Sequence, residues 1–363
     1  MIHDKESPYL PDDVITQVLT NLSVKSLFVA RTVCKRWYSL SLESHFIHLY
    51  NQCSSKNSKV LIELHDSPKS ALGLILADHS NGVSELSWNN LKERVQVRAS
   101  CNGLLCCSSI PYKDTYYIWN PMTRETRLLP RCRERPGTRF YPNGEATLVG
   151  LASDVHSSSY RVVLAGYHRS FGHRPDGTFV SFIFNSSANK WKKFVSFQEE
   201  GFTHMNKNQV VYSHGNLHWL TSAYSHVLAL DLKCGSWRKI SLPNEVTCVG
   251  SRRYLLEKDG ELCVIQIFEF SMKIWVLKDY ELGIWRLEEN VSLRCIREMV
   301  HGVFPICATS EVIFMVTHKQ ILAYHCNTKV WKEMFVVKNS STLPLWFSAH
   351  AFKSSISRFD ELY

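Results

Sequence analysis

Twelve cysteines and sixteen histidines are the residues of this chain best suited to metal or redox chemistry. A zinc site needs four convergent ligands, usually announced by closely spaced Cys or His pairs. No Cys-x-x-Cys occurs, so a RING-type zinc pattern is absent. Cys106 and Cys107 are adjacent, and Cys101, Cys263 and Cys307 sit in apolar, strand-like runs. Such thiols read as small buried hydrophobes in a reducing compartment. His214 and His218 stand four apart, but in a strand-and-turn context that suits a core or surface role better than a metal. The phosphate-loop, dinucleotide-glycine and His-Glu-x-x-His motifs are missing as well. The residues thus predict no catalytic group, no metal and no cofactor. What remains is charge: 42 Lys+Arg against 33 Asp+Glu, a formal +9.

Two kinds of element must position these groups. Residues 10–50 carry helical periodicity. Leu10-Pro11-Asp12-Asp13 is a helix start, with proline and acids at the positive end of the dipole. Ile15, Leu19 and Leu22 follow on one stripe, with Val14 and Val18 beside them. Ser23 suits an N-cap, Val33–Tyr38 a third helix and Glu43–Tyr50 a fourth. Three or four short helices bury little surface alone, so the piece needs a larger body to dock on. The polar run 51–59 reads as a linker.

From Val60 onward short β runs alternate with turns. An apolar run, an Asn or Asp, a polar turn and a Trp-led run recur at 116–130, 181–197, 226–243, 274–293 and 321–336. Trp191, Trp237, Trp285 and Trp331 are spaced 46, 48 and 46, with Arg127 assigned to the same place in the first unit. Four strands per unit of this length is the signature of a propeller blade. The tryptophans read as packing between blades. Residues 60–357 would hold about six blades, seven being the other count. Leu345–Phe352 would close the ring on the first blade.

Residues 10–46 resemble an F-box closely: Leu10-Pro11, Ile15, Leu19, Leu22, Ser23-Val24-Lys25-Ser26-Leu27, Val33-Cys34-Lys35-Arg36-Trp37 and Phe46 stand in the family's order. Ser23 replaces the commonest proline, and a helix cap serves equally there. Residues 98–350 resemble the plant F-box-associated domain, a kelch-like propeller. The match rests on Ser100-Cys101-Asn102-Gly103-Leu104-Leu105, Asn120-Pro121-Met122-Thr123, Leu148-Val149-Gly150, Tyr160-Arg161-Val162-Val163, Gly215-Asn216-Leu217-His218-Trp219-Leu220 and Ile274-Trp275-Val276-Leu277. The paired glycines of true kelch repeats are absent. The resemblance implies a small all-α F-box (1–51), a linker (52–59), an all-β propeller (60–357) and a tail (358–363). It also implies a non-catalytic substrate receptor of a Skp–cullin–F-box ubiquitin ligase. A Skp-type adaptor would dock on Leu10, Pro11, Ile15, Leu19, Leu22, Val33, Cys34 and Trp37, linking the chain to cullin and a RING subunit. The other readings are an adaptor complex without ligase activity, and a propeller binding a glycan or other ligand under F-box regulation.

The charge can then be placed. The first 51 residues are neutral, so the ring carries the whole excess. Residues 131–146 hold four Arg against two Glu, and 168–177 two Arg against one Asp. Loops from a fourth strand to the next blade and from a second to a third strand leave a propeller on one face. Arg133, Arg135, Arg139, Tyr141, Arg169, Phe171 and Arg174 would then form one basic, aromatic patch for an acidic or phosphorylated protein segment. Nucleic-acid binding would rest on net charge alone, without a basic helix or base-stacking module. No apolar run nears the ~18 residues of a membrane span. The acidic start predicts no secretory signal, and the expected location is cytoplasm, nucleus or both.

Overall fold

A computed structural model describes residues 10–55, 59–67, 70–78, 82–86, 95–109, 115–132, 148–153, 159–167, 178–198, 210–221, 225–248, 250–296, 302–317, 320–336 and 346–359. Four helices come first: α1 Asp12–Thr20, α2 Val24–Ala30, α3 Lys35–Leu40 and α4 Ser44–Ser55. Pro11 precedes the first helical residue, and the Ser23 hydroxyl caps α2 by accepting from the Ser26 amide at 3.1 Å. Ile15, Leu19, Leu27, Ala30, Phe46 and Tyr50 form the core of this module. α4 extends into the stretch read as a linker and stops at Ser55; residues 56–58 lie outside the described residues. Packing of Phe46, Tyr50 and Asn51, all nearly solvent-free, carries the helix past its polar sequence.

The strands are β1 Lys59–Ser67, β2 Ser70–Asp78 and β3 Gly82–Leu86; then β4 Val95–Cys101, β5 Leu104–Ser109, β6 Tyr116–Asn120 and β7 Glu125–Leu128. Next come β8 Leu148–Ser153, β9 Tyr160–Tyr167, β10 Thr178–Asn185, β11 Lys190–Gln198, β12 Val210–Ser213, β13 Asn216–Leu220, β14 His226–Asp231 and β15 Trp237–Ser241. The rest are β16 Arg252–Lys258, β17 Glu261–Ile267, β18 Ser271–Asp279, β19 Ile284–Ser292, β20 Phe304–Ala308, β21 Val312–Val316, β22 Gln320–His325, β23 Val330–Val336 and β24 Trp346–Phe352.

Four sheets have four strands each: β24-β1-β2-β3, β4 to β7, β8 to β11 and β12 to β15. A fifth, curled sheet has eight, in the order β19-β18-β17-β16-β20-β21-β22-β23. Its two halves are antiparallel meanders joined by one parallel pair, Lys258 with Ala308. β24 pairs with β1 from Lys59/Phe352 to His65/Trp346, so the end of the strand series closes on its beginning. Apolar clusters lie between successive sheets. One joins Leu61 and Phe352 to Val97 and Trp119, another Ile183 and Leu148 to Trp219 and Leu230. A third joins the second half of the curled sheet back to Val60 and Ile62. The packing is therefore circular and propeller-like.

The turn chemistry repeats as well. Each inner hairpin of the β4, β12 and β16 sheets turns on two positive-φ residues ending in glycine: Asn102-Gly103, His214-Gly215 and Asp259-Gly260. At the outer hairpins the Asn or Asp of the repeat accepts from backbone amides of its own turn, as Asn120 does from Met122, Asn185 from Ser187 and Asp231 from Lys233. Four residues on from these corners, Arg124, Asn189, Gly235 and Gly283 take positive φ, as does Lys329 in the last repeat, where His325 holds the corner. Gly235 has a second reason to be glycine, because a Cβ there would lie 2.1 Å from the Phe194 ring.

The tryptophans bind sheet to sheet. The Trp191 indole donates to Pro130 O at 2.7 Å, just past the last strand of the preceding sheet, and that of Trp285 to Ser241 O at 2.9 Å, at the end of the preceding sheet's last strand. Register corrects one assignment. Trp191 pairs with Phe184, next to the turn Asn185, and the matching partner of Trp119 is Thr126. Arg127 lies one residue further along.

Candidate functional site

The helical module shows more apolar surface than its size requires. Leu10, Val14, Val18, Val29, Val33 and Tyr38 are 40–62% exposed. α1 explains how. Its row Ile15/Leu19 faces the core, while the neighbouring row Val14/Val18 faces out. The Arg36 guanidinium ties the start of α3 to α1, donating to Asp12 and to Leu10 O, each at 2.7 Å. Cys34 caps α3, its sulfur accepting from the Trp37 amide at 3.5 Å.

Of the residues expected on an adaptor face, Leu10, Pro11, Val33 and Cys34 are exposed, and Leu22 and Trp37 are half-buried against the core. Ile15 (3% exposed) and Leu19 (1%) are enclosed within the module and offer no surface. Val14, Val18, Val29 and Tyr38 are the apolar side chains exposed in the same module. The signal for Val14 and Val18 was the width of the apolar stripe on α1, which one core-facing row does not need.

The ring has two distinguishable ends. Residues 355–359 touch Asn120, Glu125 and Tyr160, and Ile356 lies inside the helical core. The helical module therefore sits at the end where β6 stops and β9 starts. Registers place Leu128, Leu148, Tyr167 and Thr178 at the opposite end. Both basic segments leave the ring from those strand ends. Arg133, Arg135, Arg139, Tyr141, Arg169, Phe171 and Arg174 themselves lie outside the described residues.

At the ring's centre is a cavity of about 330 Å³ lined by Arg98, Tyr212, His214, Glu257 and Lys353 among others. Lys353 and Glu257 pair across it at 2.8 Å. Beside it His218 is wholly buried. Its Nδ1 is 3.2 Å from Val211 O, which only accepts, so Nδ1 carries the proton. Nε2 then accepts the Tyr280 hydroxyl at 2.9 Å, and that oxygen accepts from Asn216 at 3.0 Å. No lone pair is left for a metal, and among the described residues no cluster of three potential ligands occurs. Burial, against the opposing Val211 hydrogen bond, pushes the His218 pKa down to about 3. A neutral histidine in the fold and an ordinary one in the unfolded chain means the unfolded state binds more protons between pH 6.5 and about 3. Stability is thus full above pH 6.5 and is expected to fall by up to ~1.4 kcal/mol per pH unit below it. Urea midpoints between pH 7 and 4 should show a shallower fall for His218→Gln than for the unaltered chain.

All twelve cysteines are free thiols. Burial pushes Cys101, Cys106, Cys263 and Cys307 up to about 12, which suits packing and not nucleophilic chemistry. Among the described residues no helix is long and apolar enough to cross a membrane.

Comparison with known proteins agrees with this geometry. Residues 8–49 match the F-box domain and residues 75–351 the F-box associated beta propeller domain. F-box protein At5g49610 of Arabidopsis thaliana is 55% identical over 97% of this chain and 98% of its own length. F-box protein At3g07870 of the same plant is 22% identical over 97% and 92%. The kelch label appears only on distant relatives, such as a putative F-box/kelch-repeat protein, At3g17570 of Arabidopsis thaliana, 27% identical over 59% of this chain and 53% of its own. Among solved structures, one chain of a nidogen/laminin complex is similar with TM-score 0.45 and 10% identity, over 82% of this chain and 99% of that one. The chain belongs to the plant F-box proteins that carry a C-terminal F-box associated β-propeller domain.

Proposed function

We propose that this chain is the substrate-recognition subunit of a Skp–cullin–F-box ubiquitin ligase, acting in the cytoplasm or nucleus. The observation that carries the reading is the exposed apolar surface of the F-box, from Leu10 and Val18 to Val33 and Tyr38. Exposed side chains of this kind on so small a module suit a partner that covers them, and an F-box in general binds a Skp-type adaptor. The adaptor face in this reading is Leu10, Pro11, Val14, Val18, Val29, Val33, Cys34 and Tyr38, edged by Leu22 and Trp37. The chain supplies no catalytic group in this reading. It raises the effective concentration of a target lysine near the conjugating enzyme. The dock is the module of helices α1 to α4 and the ring the strands β1 to β24. The ring counts six blades if each half of the curled sheet is one blade, which the core between those halves supports.

The substrate is an acidic or phosphorylated protein segment, and the basic patch from Arg133 to Arg174 holds it. Support comes from the charge excess and from flanking strands that all end on the side away from the F-box. Reversing Arg133, Arg135 and Arg174 to Glu is expected to abolish capture of proteins that accumulate under proteasome inhibition. Adaptor and cullin should still co-purify. Unchanged capture would rule the patch out, and adaptor without cullin would favour a complex outside ubiquitin ligation. The central cavity favours a second reading, a small polar ligand. A rise of several degrees in melting temperature with a sugar or small acid, lost in Lys353→Met, would support it.

A further inference from the structure

We infer that residues 353–359 form a clamp that fixes the angle between F-box and ring, with Asn51 and Asn120 as its positioning residues. The inference rests on the ligase reading, because a fixed angle matters only if one end holds the adaptor and the other the substrate.

The segment leaves β24 at Lys353 and loses its solvent at once: Ser354, Ser355 and Ile356 are 3%, 3% and 1% exposed. Ile356 belongs to the F-box core, packed with Ile15, Leu19, Leu27 and Phe46. Two buried asparagines grip the segment from opposite sides. From α4, Asn51 accepts the Ile356 amide at 3.1 Å and donates to the Ser357 hydroxyl at 2.8 Å. From the ring, Asn120, fully buried, donates to Ser355 O at 3.1 Å and Ser357 O at 2.9 Å. Glu125 accepts the Phe359 amide at 3.0 Å, and the Phe359 ring meets Tyr160 edge-on at 5.9 Å. Gly103 makes room, since a Cβ there would come 2.4 Å from that of Ser355. Two motifs of the first full repeat, Asn102-Gly103 and Asn120-Pro121-Met122-Thr123, thus face the same strap.

The repeat shows which part of Asn120 serves the strap. At the corresponding corners Asp231 and Asp279 make the turn with an oxygen alone. Asn120 makes it too, through Oδ1 to the Met122 amide, and that uses none of its protons. Both amide protons go to the strap. Asn120→Asp therefore keeps the turn chemistry used elsewhere in the ring. It replaces two donors by a negative oxygen facing two carbonyls.

The test uses the full chain with its Skp-type adaptor, read by hydrogen exchange and small-angle scattering. In Asn120→Asp, exchange of the Ile356 and Phe359 amides is expected to rise at least about tenfold, and the maximum dimension of the complex to grow. Exchange in β16–β23 and adaptor affinity should stay within twofold. Wild-type exchange at those amides, with unchanged scattering, would overturn the clamp. Should Asn120→Asp not fold, Asn51→Leu removes both hydrogen bonds to the strap from the F-box side and is read in the same way. Wild-type chain that binds no adaptor would sink the ligase reading while leaving the exchange result standing. Adaptor binding with an unclamped tail would do the reverse.

Discussion

Val18→Lys is expected to weaken binding of a Skp-type adaptor by about a hundredfold, within the 2–4 kcal/mol seen for central interface residues, without unfolding the F-box. Val18 is 53% exposed in the free chain, so little internal packing is lost. Lysine is a good helix former, and its charge near the end of α1 complements the helix dipole. Only a bound partner makes the change costly, because the ammonium must then be buried against an apolar surface. Titration calorimetry with purified adaptor gives the affinity, and circular dichroism gives the helix content. Leu19→Lys is the control: Leu19 is 1% exposed, and the substitution should cost folding itself. If Val18→Lys binds like the unaltered chain, the adaptor does not cover this side of α1.

The second large effect is Phe46→Ala. Phe46 is 1% exposed and stacks on Tyr50 at 6.2 Å. The Tyr50 hydroxyl in turn donates to Leu22 O at 3.0 Å, so the ring pair ties α4 to the end of α1. Removing a buried Phe costs about 3–5 kcal/mol. A module of this size has about that much stability to lose. Amide protection over Asp12–Ser55 is expected to collapse, and adaptor binding with it. The ring, held by its own inter-sheet cores, should keep its melting temperature within about 2 °C. Protection that survives in α1 and α4 would mean that the ring carries more of the module than its seven-residue core suggests.

The repeat was legible in the sequence because each corner reuses local chemistry. An Asn or Asp that caps its own turn, a positive-φ position four residues later and a Trp after that need no distant partner. The same locality explains the slip at Arg127, since where Trp is absent only strand register identifies Thr126 as the counterpart. The F-box start, cap and core stripe were legible for similar reasons. The exposed apolar face of the F-box was half legible. Sequence places Ile15 and Val14 on adjoining rows of one helix, and only the position of α4 decides which row is covered. The helical end of α4 and the strap were not legible at all. Asn-Gln-Cys-Ser-Ser and Ser-Ser-Ile-Ser have no periodicity, and both owe their structure to each other across the length of the chain. Burial of His218 was hidden too, since its partners Val211 and Tyr280 come from a neighbouring strand and a different sheet.

The strap also sets a schedule. Asn51 and the Ile356 amide it binds are 305 residues apart. At roughly 5–20 residues per second of synthesis, some 15–60 seconds pass between them. The F-box helices are made first, yet their core lacks its last apolar side chain until nearly the whole ring has emerged from the ribosome. β1 waits equally long for β24. A nascent chain therefore displays an unfinished dock for most of its production, and completion of the ring and completion of the dock arrive together. A message truncated before Ile356 would yield an F-box whose core lacks that side chain.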